Sequence, residues 1–320
     1  MKNFKILFAC LILGTASASC TYDFQNEDYG PLITLSPMAG AAETKAPIMD
    51  NVFPDRDIVV SSYFYADNGG TSDDYFSNLT FSKSGSTWAA DKYWPLGGQL
   101  DFLAVSSPQL NPELDYTGDK VTDEVRITIG DNSSIQEDIL CAYAGQTSSV
   151  NSVSMSFVHA QALITFKAQS SIAYNSTTNV GITVTGITIN GARYSGTCMF
   201  TKNGNCAWGG LGPQKDVAVP GLSATNLGTT MSGQLGAGIM LPSQACTTAT
   251  ITYTLHNGKQ NGTNLDIPGL VKTITLTSPD TNWLSSKSYC YEICITQHGI
   301  SFEPVVSDWI VTSPVTVNIS

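Results

Sequence analysis

Three histidines, His159, His256 and His298, are all the imidazole that a 320-residue chain offers for acid–base or metal chemistry. None stands at metal-ligand spacing from a carboxylate or a cysteine, and His-x-x-x-His does not occur. His159 lies within an apolar strand pattern, where a hydrogen-bonded core histidine is the expectation. Cys290 and Cys294 form Cys-x-x-x-Cys inside another strand pattern, whereas zinc sites carry their paired cysteines on turns. The chain has no Gly-x-Ser-x-Gly elbow, Walker loop or Gly-x-Gly-x-x-Gly, and Gly236-Ala237-Gly238 belongs to a Gly-rich loop. ADNGGTSDDYFSN, residues 66–78, has oxygen donors for calcium but lacks EF-hand spacing, and Asx-turns account for the same residues. Nothing positions any carboxylate pair for glycoside hydrolysis. Tyr93, Trp94, Trp208 and Trp283 either stack on sugars from the surface or plug a core, and the core is the expectation. The residue types therefore predict no catalytic site, no metal and no cofactor, and leave glycan binding as the alternative function.

The elements carrying these residues alternate with period two and are rich in β-branched and aromatic side chains, which predicts strands. Such runs cover 58–67, 79–90 with Gly85 at a hairpin tip, 92–108, 125–130 and 137–144. They resume at 153–168, 180–191, 249–259, 270–277, 288–296 and 315–320. Within 153–168 the apolar parity switches from odd (Val153, Met155, Phe157) to even (Ile164, Phe166, Ala168), as a bulge or a crossover between sheets would produce. Gly186 marks a second such switch. The Gly-rich stretch 209–238 reads as loop without a strand of any length. No segment holds a helical period over three turns. The expectation is an all-β protein of two β-sandwich domains, 49–150 and 151–320, with the boundary near Gly145–Asn151.

Fifteen Lys and Arg stand against twenty-six Asp and Glu. Setting aside Lys2 and Lys5 with residues 1–19 makes the balance more acidic still, which removes the electrostatic footprint for nucleic acid. Residues 1–19 have a basic start, the apolar run ILFACLILG and small residues leading to Cys20, the form of a bacterial lipoprotein signal. A diacylated Cys20 would anchor the chain to a membrane. No other segment approaches the roughly 20 apolar residues of a spanning helix. Six further cysteines remain: Cys141, Cys198, Cys206, Cys246, Cys290 and Cys294. Cys290 and Cys294 on one strand face would lie about 13 Å apart, too far to bridge. A tight turn at Asn203-Gly204 would not set Cys198 opposite Cys206. Distant pairs and buried free thiols both stay open.

One basic residue, Lys45, stands between Lys5 and Arg56. It follows the strand-like LITLSP, in which Leu32, Thr34 and Ser36 alternate with Ile33 and Leu35, and the small-residue segment Met38–Thr44. In order along the chain come this signal and first strand, Tyr93-Trp94-Pro95 with LDFLAVSSP, and Asp138-Ile139-Leu140. VSMSFVHAQALITF, ITINGARYSG, IMLPSQ with TITYTLHNGK, Trp283 before Tyr289, and Ile300…Asp308-Trp309 follow. This order resembles the fimbrillin family of Bacteroidales, pilins and pilus-associated lipoproteins of type V fimbriae. The resemblance implies two transthyretin-like β-sandwich domains in tandem and a lipoprotein exported to the outer membrane and cell surface. It further implies cleavage by a trypsin-like protease at Lys45–Ala46, within an N-terminal tether and first strand over residues 20–48. The removed strand would contain Leu32, Ile33 and Leu35. Its place would be taken by a donor strand from another pilus subunit, for which Val315, Val317 and Ile319 on one face of VTVNIS are the candidate. The family more often has arginine at the cleavage position, and only eleven residues follow Trp309.

Overall fold

The computed structural model describes residues 30–39, 53, 55–65, 73–107, 113–115, 124–129, 138–147, 150, 152–201, 204–296 and 299–309. None of these residues is helical, so no described helix is long and apolar enough to cross a membrane. The strands of the first half are β1 (Leu32–Ala39), β2 (Ile58–Tyr65), β3 (Asp73–Ser84), β4 (Thr87–Tyr93), β5 (Gln99–Ser106), β6 (Glu113–Asp115), β7 (Glu124–Ile129) and β8 (Leu140–Thr147). Next come β9 (Val153–His159), β10 (Ala162–Ser170), β11 (Val180–Arg193), β12 (Gly196–Thr201), β13 (Cys206–Gly209), β14 (Gln214–Ala218) and β15 (Thr225–Asn226). The last are β16 (Ile239–Leu241), β17 (Gln244–Ala245), β18 (Thr248–Gln260), β19 (Thr263–Thr275), β20 (Asn282–Trp283), β21 (Lys287–Thr296) and β22 (Gly299–Asp308).

Seven strands close a barrel in the order β1-β4-β3-β2-β5-β8-β9. Alternation explains what fills it. Ile33 and Leu35 of β1, Phe102 and Ala104 of β5, Leu140 and Ala142 of β8, and Met155 and Phe157 of β9 all point into one buried core. The β3–β4 hairpin turns at Gly85, whose φ of 65° is one that glycine adopts without strain. Of the stretch 66–78 weighed for calcium, residues 73–78 belong to strand β3.

Two further sheets, β16-β10-β21-β22 and β14-β11-β18-β19, enclose a second core that includes Ile164, Phe166, Ile251, Trp283 and Tyr291. The parity switch within 153–168 is a crossover between sheets: β9 belongs to the barrel, and β10 pairs with β16 and β21. Sheet membership thus changes at Ala160–Gln161 and not at residue 150. The switch near Gly186 is a bulge against β18, between Val184 and Gly186. The stretch 209–238 contains β14 and the two-residue β15, both paired with β11; the Gln-Lys-Asp composition of β14 hides it from apolar periodicity.

A fourth sheet, β13-β12-β7-β6, joins distant parts of the chain, with β12 pairing β7 from Gly196↔Ile129 to Thr201↔Glu124. Its Cys198 and Phe200 pack on the outward residues of the barrel wall, Leu103, Val105 and Cys141.

Candidate functional site

Strand β1 is the seam of the barrel. It runs antiparallel to β4 through Leu32↔Tyr93, Thr34↔Ala89 and Leu35↔Trp88, with an irregularity between the first two pairs. It runs parallel to β9 from Leu35↔Val153 to Ala39↔Phe157. The two ladders are staggered: the first half of the strand is held by β4, the second by β9, and Leu35 takes part in both. Pro37 lies beyond the last β4 pair, where a residue without an N–H is best tolerated.

Burial follows the alternation. Ile33 and Leu35 are fully buried, whereas Leu32 is 37% exposed. Burying two such side chains is worth about 1.5–3 kcal/mol each. The strand is clasped at its start by reciprocal backbone bonds, Gly30 N–H to Trp94 O and Trp94 N–H to Pro31 O, both 2.9 Å. A Cβ on Gly30 would come within 2.9 Å of the Trp94 Cβ, so the close approach requires glycine. Ser152 Oγ donates to the Thr34 carbonyl at 3.3 Å.

Of the residues singled out in the sequence, Leu32, Ile33 and Leu35 all lie on β1, Ile33 and Leu35 in the barrel core and Leu32 on the partly exposed face. Cys20, Lys45, Ala46, Val315, Val317 and Ile319 lie outside the described residues. The aromatic candidates divide. Trp94 and Trp283 are fully buried. The Trp208 indole N–H donates to Ala160 O at 2.7 Å, and only Tyr93 is substantially exposed. A sugar-stacking platform made of all four does not exist.

Each described histidine meets an aspartate that sequence spacing did not predict, because each partner arrives through tertiary pairing. His159 Nδ1 lies 2.8 Å from Asp138 Oδ1, and its ring stacks on Trp309 at 3.5 Å between centroids and 8° between planes. Around it the crossover is bolted in place. Gln161 Oε1 accepts from Ile139 N–H, Ser285 Oγ donates to Ala160 O, and Ser286 Oγ donates to His159 O. His256 Nδ1 lies 2.8 Å from Asp266 Oδ1, and its Nε2 is 2.7 Å from Thr183 Oγ1. Hydroxyl, imidazole and carboxylate in that order are the parts of an acyl-transfer triad. The Thr183 hydroxyl, however, donates to Asn226 Oδ1 at 2.6 Å, directing its proton away from the ring. The cluster is a bracket holding β18, β19 and β11 together. Hydrogen bonds from Asn179 and then His256 hold the Asp266 carboxyl below the usual carboxylate range. Among the described residues no group of three or more His, Cys, Asp or Glu is arranged to hold a metal.

No curated protein matches the sequence. Solved structures share the fold at low identity. A fimbrial protein from Bacteroides vulgatus superposes with a TM-score of 0.59 at 14% identity, over 79% of this chain and 92% of that one. A proposed cell-adhesion protein from Bacteroides uniformis gives 0.54 at 15% identity, over 88% and 98%. A similarly described protein from Bacteroides ovatus gives 0.53 at 15% identity, over 89% and 99%. The fimbrillin-like family profile matches residues 44–309. That span takes in every strand after β1, and by it the chain belongs to the fimbrillin-like family.

Proposed function

We propose that this chain is a non-enzymatic fimbrial subunit or adhesin of the cell surface, assembled with other pilus subunits by protease-triggered strand exchange. The observation that carries the reading is the seam position of β1. It is the first described strand, and it fills a slot between β4 and β9 with two core side chains. Its loss would leave two open strand edges and an apolar gap, the receptor for β-strand addition. The family match starts at residue 44, beyond β1, in keeping with a first strand that is dispensable once it has been replaced. In this reading Cys20 carries the lipid anchor in the outer membrane and Lys45–Ala46 is the cleavage point. Val315, Val317 and Ile319 supply a donor face. The barrel and the two-sheet sandwich are its two transthyretin-like units, divided at the 160–161 crossover.

Limited digestion of the lipidated precursor with a trypsin-like protease should yield a species that begins at Ala46 and forms oligomers. If Lys45→Ala assembles as well as the wild type, cleavage at this site is not the trigger.

A further inference from the structure

Strand exchange makes no use of three thiols gathered on the outer wall of the barrel. Cys141 of β8, Cys198 of β12 and Cys206 of β13 share one apolar cluster with Leu103, Val105, Ile139 and Phe200. Cys141 and Cys198 are fully buried, and Cys206 is partly exposed. Cys206 packs against the cluster that contains the other two, and their influence, Cys141's first, holds its thiol well below the ordinary range. Burial, joined by the contact with Cys206, pushes the Cys141 thiol well up.

Strand register separates the two possible partners of Cys206. Cys198 faces Trp208 and Phe200 faces Cys206, so Cys198 and Cys206 are diagonal neighbours. Diagonal Cα atoms on an antiparallel pair are about 7–8 Å apart, beyond the roughly 4.4–6.8 Å that a disulfide spans. Cys141 is free of that register. It projects from β8 at the face on which the hairpin packs, in the apolar cluster against which Cys206 lies.

We propose that Cys141 and Cys206 are joined by a disulfide in the protein outside the cytoplasm, clasping the β12–β13 hairpin to the barrel wall, with Cys198 left reduced beside it. The oxidant is an external disulfide, either a small-molecule disulfide or a thiol–disulfide oxidoreductase of the cell envelope. The Cys206 thiolate attacks it, forming a mixed disulfide and releasing one donor thiol. Cys141 then loses its proton to water and attacks Cys206 Sγ, expelling the second donor thiol. Two protein thiols are oxidised and one donor disulfide is reduced to two thiols. The low-range thiol, which is also the less buried of the two, is the one that reacts first. The bridge would brace β8, the strand that pairs with β9, and it does not depend on whether β1 is ever removed.

The test is peptide mapping of the full chain purified from the cell envelope without reductant, with free thiols alkylated in denaturant. The expected result is one linked peptide pair containing Cys141 and Cys206, with Cys198, Cys246, Cys290 and Cys294 alkylated. Cys198→Ser should retain the link, and reduction should lower the melting temperature of that variant by roughly 5–10 °C. Full alkylation of all six thiols, or a link from Cys206 to Cys198, overturns the proposal. A chain that carries the bridge yet resists trimming at Lys45 keeps this inference and refutes the strand-exchange reading alone.

Discussion

Leu35 takes part in both ladders of the seam, and its side chain is wholly inside the barrel. Leu35→Ala should cost about 2–5 kcal/mol through lost burial and the cavity left behind, read as a lower urea midpoint with an unchanged slope. Leu32→Ala, on the exposed side of the same strand, should change the midpoint by less than about 0.5 kcal/mol. Gly30→Ala tests the clasp: its Cβ has no room beside the Trp94 backbone and side chain, so roughly 1–3 kcal/mol of strain is expected. That strain should show as faster proteolysis near β1 than elsewhere. Alternation in LITLSP was enough to set Ile33 and Leu35 on one face, though not to say that this face is the inward one. The role of the glycine was not legible, because its importance depends on Trp94, a residue sixty-four positions away that reaches it only after the barrel closes.

The β18–β19 hairpin shows what a local element owes to distant anchors. Asn179, held in the left-handed region at φ 54°, donates from Nδ2 to Asp266 Oδ1 at 2.7 Å and to Gly258 O at 3.2 Å. These contacts stabilise the ionised carboxyl, so the Asp266 pKa is lower in the folded protein than in the unfolded chain. Linkage then fixes the sign. The anchorage is complete above the unfolded value of about 4 and is lost as pH falls through the folded value. Amide protection in residues 253–267 should therefore drop on acidification below that value, and Asp266→Asn should abolish the drop while lowering protection at neutral pH. Equal acid sensitivity in the Asn variant would assign the effect elsewhere. β18 was readable from its own residues, as were the Gly85 turn and the bulge at Gly186; of β19 only the part from Leu270 onward was, and 263–269, with Asp266, was not. Pairings such as β7 with β12 were not readable either. Period-two patterning says which face of a strand is apolar, but it contains nothing about which other strand will lie beside it. The short polar β14 is invisible for a related reason: it is held by its neighbour β11, not by an apolar face of its own.

At the scale of the molecule, the barrel should be separable from its first strand without loss of the remaining fold. A chain starting at Ala46 should have a lower melting temperature than the full chain, or should self-associate. A synthetic peptide covering residues 30–39 should reverse either effect, and the same peptide with Ile33→Asp should not. Failure of the wild-type peptide to bind would mean that the seam does not form in trans. The all-β class and the apolar filling of each core were legible in the sequence. Closure of the barrel was not, since it rests on a strand whose two halves have different partners. That arrangement has a geometric consequence. The slot has one antiparallel wall and one parallel wall, so it looks different to a segment entering from either direction. Only one orientation reproduces the hydrogen-bond spacing on both sides. Subunits that refill one another's slots would all be added facing the same way, as in any head-to-tail contact that fails to close into a ring. The resulting fibre would have a polarity, with an empty slot at one end and an unspent donor at the other, and growth at its two ends would be chemically distinct.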